Sequence, residues 1–333
     1  MDKVRMGFIG AGFIADVLAR TLLQLNEYAS IEAVFSREIE KAKHFARRYG
    51  IKNVYRDWRD IAGSKEIDAV IIATPDYTHK EIAVECARNG KHIYLEKPIA
   101  LRLRDAREII DAASRNNVKL FVGHCLRYWP EYVKVREAVY RGDIGEPRIA
   151  RAYRLGSFPR PLWYGYMEYS GGVVVDMAIH DIDFLRWVLG PVRRVYGVGG
   201  RYTKNTVDAI DHAIYVLEFE SGTIAYGEAS WAMPGSFRFT TYLEIAGTKG
   251  LLRVDNRSNV SVTKYLENSS SSYAPIYRDA FYNELRAFLR WILFGDPVTI
   301  TPEDALESLR VALAINRSIE KGEIIDLKEA ILE

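Results

Sequence analysis

Short apolar runs alternate with segments of helical periodicity along the first third of the chain. Residues 4–9 form a compact apolar run, and apolar side chains then recur at positions 14, 17, 18, 22 and 25, the spacing of one helix face. Further apolar runs occur at 31–35, 68–73, 92–96 and 119–123, with helical spacing between them, as over roughly 103–116. Since strands that alternate with helices build a parallel sheet covered on both faces, the pattern predicts a doubly wound α/β domain over residues 1–123.

The pattern changes after residue 123 to longer segments that alternate between apolar and polar residues. The alternating segments cover 148–154, 212–220, 223–230, 237–246 and 251–254. They predict an α+β domain over 124–333 with a large open, mainly antiparallel sheet that carries helices on one face only. The serine run at 268–272 is predicted to be an exposed loop. A helix over about 302–321 is a candidate for packing back on the first domain.

The uncovered face of such a sheet must be solvated or buried against a partner. The aromatic residues Trp231, Phe239 and Tyr242 lie near this sheet in the sequence. We therefore expect a homodimer or homotetramer that associates through the C-terminal sheet.

Composition and charge narrow the class of protein. The chain has 333 residues, of which 48% are hydrophobic and 27% charged, with a net charge of +2. This balance gives no indication of a nucleic-acid partner or an anionic membrane surface. The two cysteines, Cys86 and Cys125, lack metal-ligand spacing and are too few for a disulfide framework. No signal peptide or long apolar run is visible, so a cytoplasmic protein without a membrane partner is expected.

A glycine-rich turn joins the first strand to the first helix. Its pattern is Gly10-x-Gly12-x-x-Ala15. Gly10 permits a tight turn, Gly12 lets the backbone approach a pyrophosphate, and Ala15 is small enough for the helix to pack on the strand. Between a strand and a helix, this pattern indicates a dinucleotide-binding domain of the Rossmann type, with the phosphates at the helix N-terminus.

The residues that follow the second strand indicate whether NAD or NADP is bound. An NAD site usually places Asp or Glu about 20 residues past the glycines. Here Ser36 and Arg37 occupy those positions, Ser36 being 21 residues after Ala15. A hydroxyl and a guanidinium suit a 2′-phosphate better, so NADP is favoured over NAD. Use of both cofactors stays open, as does the simpler interpretation of Arg37 as a solvated charge and Ser36 as a helix cap.

Two further clusters supply acid and base groups. Glu96-Lys97-Pro98 follows a buried strand, which places Lys97 at the carboxyl edge of the sheet, where ligands bind. Asp176 and His180 are spaced i,i+4 and would share one face of a helix, where the carboxylate can orient the imidazole. Alone, this pair would most simply be a surface contact. A metal site made by His180 with Asp181 or Asp183 is disfavoured because no other histidine is near in sequence, so no metal is expected.

These motifs together resemble the glucose–fructose oxidoreductase/inositol dehydrogenase family, also called the GFO/IDH/MocA family. The resemblance extends over nearly the whole chain and is carried by four stretches: Gly7–Gly12, Ala73–His79, Gly90–Pro98 and Gly171–Asp183. One departure is Val173, where many members have a third glycine. The Asp-Met-x-Ile-His form of the last stretch resembles the inositol dehydrogenase branch but does not identify inositol as the substrate.

The resemblance implies a role for each matching residue. Lys97 would be the catalytic lysine, preceding a cis Pro98, while His180 would be the general acid/base and Asp176 would tune it and contact substrate hydroxyls. Gly10, Gly12, Phe13 and Ile14 would bind the pyrophosphate. The nicotinamide ribose would be lined by Thr74, Pro75, His79 and Glu96, and Pro98 would also contact the cofactor. Arg127 would lie near the nicotinamide and Trp163 near the substrate.

The expected function is an NAD(P)-dependent oxidoreductase of a sugar, polyol or inositol-like substrate. Two alternatives stay open from the sequence. One is a reductase of a non-sugar carbonyl or imine, and the other is a non-catalytic cofactor-binding regulator. The intact set of Lys97, Asp176 and His180 favours an enzyme over a regulator, which has no need of all three.

Overall fold

The structure is a computed structural model that describes residues 3–274 and 278–330. The strands, numbered in chain order, are β1 (Val4–Ile9), β2 (Ala29–Phe35), β3 (Asn53–Tyr55), β4 (Ala69–Ile72), β5 (His92–Glu96), β6 (Leu120–Gly123), β7 (Pro147–Ser157), β8 (Val192–Gly200), β9 (His212–Phe219), β10 (Ile224–Met233), β11 (Thr240–Gly247), β12 (Gly250–Asp255), β13 (Val262–Leu266), β14 (Ser269–Tyr273) and β15 (Ile325–Asp326). The helices are α1 (Phe13–Leu23), α2 (Ile39–Tyr49), α3 (Trp58–Gly63), α4 (His79–Arg88), α5 (Leu103–Arg115), α6 (Pro130–Tyr140), α7 (Met167–Ser170), α8 (Ile179–Leu189), α9 (Ala280–Phe294) and α10 (Pro302–Lys321).

The chain divides into two compact units, and the first of them is discontinuous. It comprises the chain up to Tyr128 together with Arg278–Leu306, while the second begins at Trp129 and resumes at Glu307. The sequence placed the boundary after residue 123 and assigned everything beyond it to the second domain. The structure instead returns α9 to the first unit, and the division falls within α10.

The first unit is a doubly wound parallel sheet, as predicted. Its strand order is β3-β2-β1-β4-β5-β6, and every pairing is parallel. The order reverses between β1 and β4, which makes the carboxyl ends of these strands the point where such folds bind ligands. All four residues of β4 are buried, so this strand is covered on both faces, which explains why it reads as an uninterrupted apolar run.

Helix α9 completes the core of the first unit. Leu285, Phe288 and Leu289 are fully buried in the same cluster as residues of β1, α1 and β6. The ring of Phe288 lies 5.7 Å from that of Phe121 and 5.9 Å from that of Tyr94. Burial of each such side chain stabilises the fold by about 1.5–3 kcal/mol, so α9 is an integral part of this unit.

The sequence Thr78-His79-Lys80-Glu81 matches a capping box and so predicts that Thr78 caps α4, but this prediction is wrong. The Thr78 hydroxyl donates to the carbonyl oxygen of Pro75 at 2.7 Å, and its oxygen also lies 2.7 Å from Oγ1 of Thr74. A 3₁₀ turn over Asp76–Thr78 precedes the helix. Thr78 therefore already has a helical backbone, and its side chain tightens the turn instead of capping the helix. The predicted start of α10 is confirmed, since Thr301 and Asp304 form a reciprocal capping box there.

The second unit contains a nine-stranded mixed sheet with the order β14-β13-β12-β11-β7-β10-β9-β8-β15. Most pairings are antiparallel, as predicted, but β7 and β10 are parallel, with Ile224 opposite Ile149. Alternating segments that follow one another along the chain predict an antiparallel meander, and the structure corrects this: β7 lies between two antiparallel groups, β8–β10 and β11–β14. Alternation of polar and apolar residues is the same in either pairing, so the sequence pattern could not show the insertion.

The serine run predicted as a loop is instead a strand. β14 pairs with β13 antiparallel, with Ser269 opposite Leu266. Its side chains are mostly exposed because it is the edge strand of the sheet. Backbone hydrogen bonds to β13 do not depend on side-chain hydrophobicity, which explains why a run of serines can form a strand here.

The aromatic residues expected near an uncovered sheet face are not equivalent. Trp231 is buried and contacts the rings of Phe158 and Tyr164 at 5.7 and 5.5 Å, so it belongs to the interior of the second unit. Phe239 is exposed and Tyr242 is partly exposed. Trp231 therefore gives no support to an interface between copies of the chain.

None of the helices within residues 3–274 and 278–330 has both the length and the apolar character needed to cross a membrane.

Candidate functional site

The glycine-rich turn lies at the carboxyl end of β1, as predicted. Gly10 has φ +114°, and a Cβ there would overlap the carbonyl group of Ala73. Only glycine fits this position. Gly12 is the N-cap residue of α1, and apart from its own chain neighbours no atom of the described residues lies within 4 Å of the place where its Cβ would be. Open space in front of a helix N-terminus is the environment that a dinucleotide pyrophosphate needs, so these residues fit the cofactor.

The next two residues expected at the pyrophosphate begin α1. Phe13 is 86% exposed and Ile14 is partly buried. The first backbone N–H groups of a helix lack partners within the helix. The N–H groups of Phe13 and Ile14 therefore have no acceptor within α1, which is consistent with phosphate binding.

Ser36 and Arg37 directly follow β2, at the same edge of the sheet. Ser36 is partly buried and Arg37 is exposed. Beside the glycine turn lies a depression of about 410 Å³ lined by Ala11, Asp16, Glu40, Lys41, His44, Phe45 and Arg48. The hydrogen bond from Tyr49, together with Arg20 and Arg48, lowers the pKa of Asp16 in this depression, so its carboxylate is held in the ionised form. The charged side chains of this depression balance, because Lys41 and Arg48 are matched by Asp16 and Glu40. Arg48 lies 2.7 Å from Asp16 and Lys41 lies 2.6 Å from Glu38, so the depression does not by itself favour an anionic group.

Strand β5 delivers Glu96, Lys97 and Pro98 at the carboxyl edge of the sheet. Glu96 and Pro98 are buried, whereas Lys97 is partly exposed. The Lys97–Pro98 peptide bond is cis, as the resemblance implied. The first unit thus places the lysine on the same edge as the glycine turn, two strands away in the order β1-β4-β5.

Thr74, Pro75 and His79 follow β4, the strand between those two. Thr74 and Pro75 are partly buried, but His79 has no exposed surface. The Nδ1 atom of His79 lies 2.8 Å from the carbonyl oxygen of Pro98, and Nε2 lies 3.1 Å from that of Thr74. The imidazole therefore lies between the backbone segments that follow β4 and β5.

The structure adds an acidic side chain that sequence reasoning missed. Glu284 of α9 is completely buried. Burial, reinforced by the charge of Glu96, raises the pKa of the Glu284 carboxyl well above its usual value, and the nearby hydroxyl of Tyr94 acts in the opposite direction. The signal in the sequence was an acid within the apolar stripe of α9, next to Leu285 and one turn before Phe288.

The raised pKa of Glu284 gives a prediction about stability. The Glu284 carboxyl has a higher pKa in the folded state than its ordinary 4.5. Below pH 4.5 it is protonated in both the folded and the unfolded chain, so it does not lower the stability of the fold there. As pH rises above this value, the unfolded chain ionises first, and the wild type loses up to about 1.4 kcal/mol of unfolding free energy per pH unit. Glu284→Gln is therefore expected to gain stability relative to wild type between pH 5 and pH 8, measured by urea unfolding. Exposed Glu267→Gln should show no such trend, and parallel curves for Glu284→Gln and wild type would contradict the prediction.

In the second unit, the amphipathic pattern from Val173 to Leu189, followed by Gly190 and Pro191, predicts a single helix, and the structure corrects this prediction. Val174–Ala178 forms a π-helical turn, and α8 begins only at Ile179. Asp176 lies in the π turn and is buried, whereas His180 lies in the first turn of α8 and is partly exposed. The i,i+4 spacing therefore spans a junction between two helix types. Single π turns inside helices occur frequently at functional sites.

Asp181 and Asp183, weighed as metal ligands, have structural partners. Arg154 binds Asp181 with two hydrogen bonds, of 3.0 and 3.1 Å, and both side chains are buried. Asp183 accepts a hydrogen bond of 2.9 Å from Ser308 of α10. Within the described part of the chain, no group of three His, Cys, Asp or Glu side chains is arranged to hold a metal ion.

Arg127 and Trp163 occupy different environments. Arg127 is buried, and its Nη1 atom donates to the carbonyl oxygen of Thr299 at 2.8 Å and to Oδ2 of Asp304 at 3.0 Å. These contacts hold the returning segment within the first unit. Trp163 of the second unit is partly exposed and stacks on Tyr164 with ring centroids 3.8 Å apart.

A second depression, of about 350 Å³, lies in the second unit. It is lined by Ser157, Phe158, Arg160, Thr203, Asn205, Trp231, Met233 and Gly235. Hydroxyl, amide and guanidinium groups therefore alternate with aromatic surface, a combination that suits a polyhydroxylated molecule.

The parallel sheet, the open glycine turn and the lysine two strands away define a dinucleotide-binding protein of the Rossmann class. A family model described as the oxidoreductase family with an NAD-binding Rossmann fold matches residues 4–124, and the GFO/IDH/MocA C-terminal domain matches residues 132–253. The chain belongs to the GFO/IDH/MocA family and is an NAD(P)-dependent oxidoreductase.

Known relatives align over almost the full chain. An inositol 2-dehydrogenase of Rhizobium meliloti is 31% identical over 96% of this chain and 98% of its own length. The myo-inositol 2-dehydrogenase of Thermotoga maritima is 29% identical over 98% of this chain and its whole length. A solved structure from Desulfitobacterium hafniense, described as a putative NADPH-dependent oxidoreductase, is 27% identical with a TM-score of 0.88 and covers 99% of both chains.

Proposed function

We propose that this protein is a dehydrogenase that oxidises a secondary alcohol of a sugar, polyol or inositol-like ring. The observation that carries the proposal is the position of Lys97 at the carboxyl end of β5, on the edge of the sheet that holds the open glycine turn. The names of the relatives from Rhizobium meliloti and Thermotoga maritima support an inositol-like substrate. The mixed polar and aromatic depression of the second unit supports a polyhydroxylated one.

The chemistry assigns a task to each of three side chains. Oxidation of an alcohol removes a proton from oxygen and a hydride from carbon, and a bound nicotinamide would supply the hydride acceptor. The ammonium of Lys97 stabilises the alkoxide that develops on the substrate. His180 accepts the hydroxyl proton, and Asp176 orients the imidazole and contacts substrate hydroxyls. In the direction of reduction, His180 returns the proton.

The residues around Lys97 would hold the cofactor. Gly10, Gly12, Phe13 and Ile14 would donate backbone N–H groups to the pyrophosphate. The nicotinamide end would be bordered by Thr74, Pro75, Glu96 and Pro98, which follow β4 and β5 at the same edge of the sheet. Trp163 is proposed as a substrate-contacting residue. Arg127 is better explained by its bonds to Thr299 and Asp304, so its part in cofactor binding would be indirect.

A spectrophotometric screen tests the proposed function. Inositols, other cyclic polyols, sugars and sugar alcohols are offered with NAD⁺ and NADP⁺ in parallel, and reduced cofactor is followed at its absorption band. We expect turnover with at least one cyclic polyol or sugar. Turnover confined to reduction of non-sugar carbonyls or imines would overturn the proposed substrate class.

We further propose a preference for NADP, because Ser36 and Arg37 replace the acidic residue usual in NAD sites. A charged hydrogen bond to the 2′-phosphate contributes about 1.5–3 kcal/mol, so Arg37→Ala should weaken NADP binding roughly 10- to 100-fold and NAD binding little. Isothermal titration with each cofactor measures both affinities. Arg115→Ala, an exposed arginine at the end of α5, is the matched control. Equal weakening of the two cofactors by Arg37→Ala would remove Arg37 from this role.

The second sheet supports a proposal about assembly. Tyr196 and Val198 of β8 lie opposite Val216 and Ile214 of β9, and all four are more than a third exposed. Contiguous exposed apolar surface of this kind marks association sites, so we propose a homodimer or homotetramer that buries this face.

Charge on that face is expected to dissociate the assembly. Ile214→Glu should lower the mass in solution from that of an oligomer to that of the 38.0 kDa chain, measured by light scattering during size-exclusion chromatography. Ser270→Glu on the exposed edge strand β14 is the control and should not change the mass. A wild-type protein that is already monomeric would contradict the proposed assembly.

A further inference from the structure

We propose that His79 is a positioning residue that fixes the Lys97–Pro98 segment through the carbonyl group of Pro98. This inference rests on the proposed function, in which Lys97 acts on the substrate. His79 itself touches neither substrate nor cofactor, because its side chain is completely buried.

The contacts of the imidazole connect two loops of one sheet edge. Its Nδ1 atom lies 2.8 Å from the carbonyl oxygen of Pro98, directly after the lysine, and Nε2 lies 3.1 Å from that of Thr74. Thr74 and Pro98 follow β4 and β5, which are paired neighbours with Ile72 opposite Leu95. Beyond these last paired residues, no backbone hydrogen bonds between β4 and β5 fix the distance between the two loops. The imidazole ring of His79 fixes that distance instead.

The protonation of the His79 imidazole decides which of the two carbonyl oxygens receives a hydrogen bond. A neutral imidazole has one N–H group and can donate to only one of two carbonyl oxygens. His79 is the first residue of α4, and a positive charge is disfavoured at a helix N-terminus. We therefore assign the ring proton to Nδ1, because its contact with the carbonyl oxygen of Pro98 is the shorter of the two.

The position of this bond explains why it bears on turnover. Pro98 is buried, and a buried carbonyl oxygen requires a donor. Pro98 is also adjacent to Lys97. If the carbonyl group of Pro98 loses its hydrogen bond and moves, the backbone of Lys97 is therefore displaced as well. A misplacement of about 1 Å in a catalytic group can reduce turnover 100-fold.

Two isosteric substitutions separate the donor atoms. The amide nitrogen of His79→Asn lies near the position of Nδ1 and keeps a donor toward Pro98, whereas that of His79→Gln lies near Nε2 and does not. His79→Leu removes both. We expect kcat of the Asn variant within about fivefold of wild type and kcat of the Gln and Leu variants lower by about 30- to 100-fold. KM for the substrate should change by less than about threefold in all three variants, because the substrate contacts remain.

Thermal unfolding of each variant accompanies the kinetics. The positioning role is supported if His79→Asn has a higher kcat than His79→Gln while the two variants have the same Tm. Equal kcat for Asn and Gln, full turnover in all three variants, or losses of kcat that follow Tm would each overturn it. If the Leu variant does not fold, the comparison of Asn with Gln still decides. Failure of the proposed function is recognised separately, by full turnover after replacement of Lys97.

Discussion

Replacing Lys97 by methionine is expected to reduce turnover by about 10²–10⁴-fold while cofactor affinity changes little. Methionine keeps the length and volume of the side chain but removes the ammonium that stabilises the developing alkoxide. His180→Ala should produce a loss of the same size, because the hydroxyl proton then has no acceptor. Steady-state kinetics with the substrate found in the screen measure turnover, and fluorescence titration measures cofactor affinity.

The matched control for this prediction is Lys52→Met, which removes an exposed lysine at the far side of α2 from the glycine turn. It should retain full activity. Full turnover in both the Lys97 and the His180 variants would refute the dehydrogenase proposal. A loss that appears only as weaker cofactor binding would instead make Lys97 a binding residue.

Changing each of the two turn glycines, Gly10 and Gly12, to alanine is expected to affect a different property: stability for Gly10 and cofactor affinity for Gly12. Gly10→Ala should destabilise the protein by about 2–5 kcal/mol, because alanine is strained at φ +114° and its methyl group would overlap the carbonyl of Ala73. Gly12→Ala should leave stability nearly unchanged, because its φ of −89° suits alanine and the space around it is open. Its methyl group would occupy the space proposed for the pyrophosphate, so cofactor affinity should fall about tenfold or more.

Each glycine variant is the control for the other. Denaturant unfolding without cofactor measures stability, and titration with NAD⁺ and NADP⁺ measures affinity. A stable Gly10→Ala variant would show that the turn can relax. A Gly12→Ala variant that binds both cofactors as wild type does would place the pyrophosphate elsewhere.

The sequence predicted the first unit well where local pattern and burial coincide. A strand covered on both faces leaves a continuous apolar run, so β1 and β4 were visible, and the glycine turn between β1 and α1 has its own signature. The return of α9 was not visible. The contact of Phe288 with Phe121 joins residues far apart in the chain and leaves no trace in the local pattern of either segment.

The second unit shows how far alternation of apolar and polar residues can predict strands and their pairing. An alternating strand pairs equally well in either direction, which concealed the parallel pairing of β7 with β10. The serines of β14 have no alternation at all, since an edge strand is stabilised by its backbone bonds to β13. The π turn over Val174–Ala178 was also unexpected, because the same apolar spacing is compatible with an ordinary helix.

The candidate site was predictable in its residues more than in their roles. Gly10 and Lys97 follow strands that the sequence identified, so their place on one sheet edge could be inferred. His79 was assigned to the nicotinamide ribose from the resemblance, and only the fold reveals that it is buried against two carbonyl groups. The burial of Glu284 depends on how α9 packs, which no local pattern specifies.

The discontinuity of the first unit has a consequence for biosynthesis. Leu285, Phe288 and Leu289 leave the ribosome after every strand of the nine-stranded sheet except the short β15. A nascent chain that has emerged only as far as Tyr128 thus exposes the apolar surface that α9 will cover. The half of the enzyme that is translated first is therefore completed almost last, and it is exposed to aggregation and to chaperones throughout that interval.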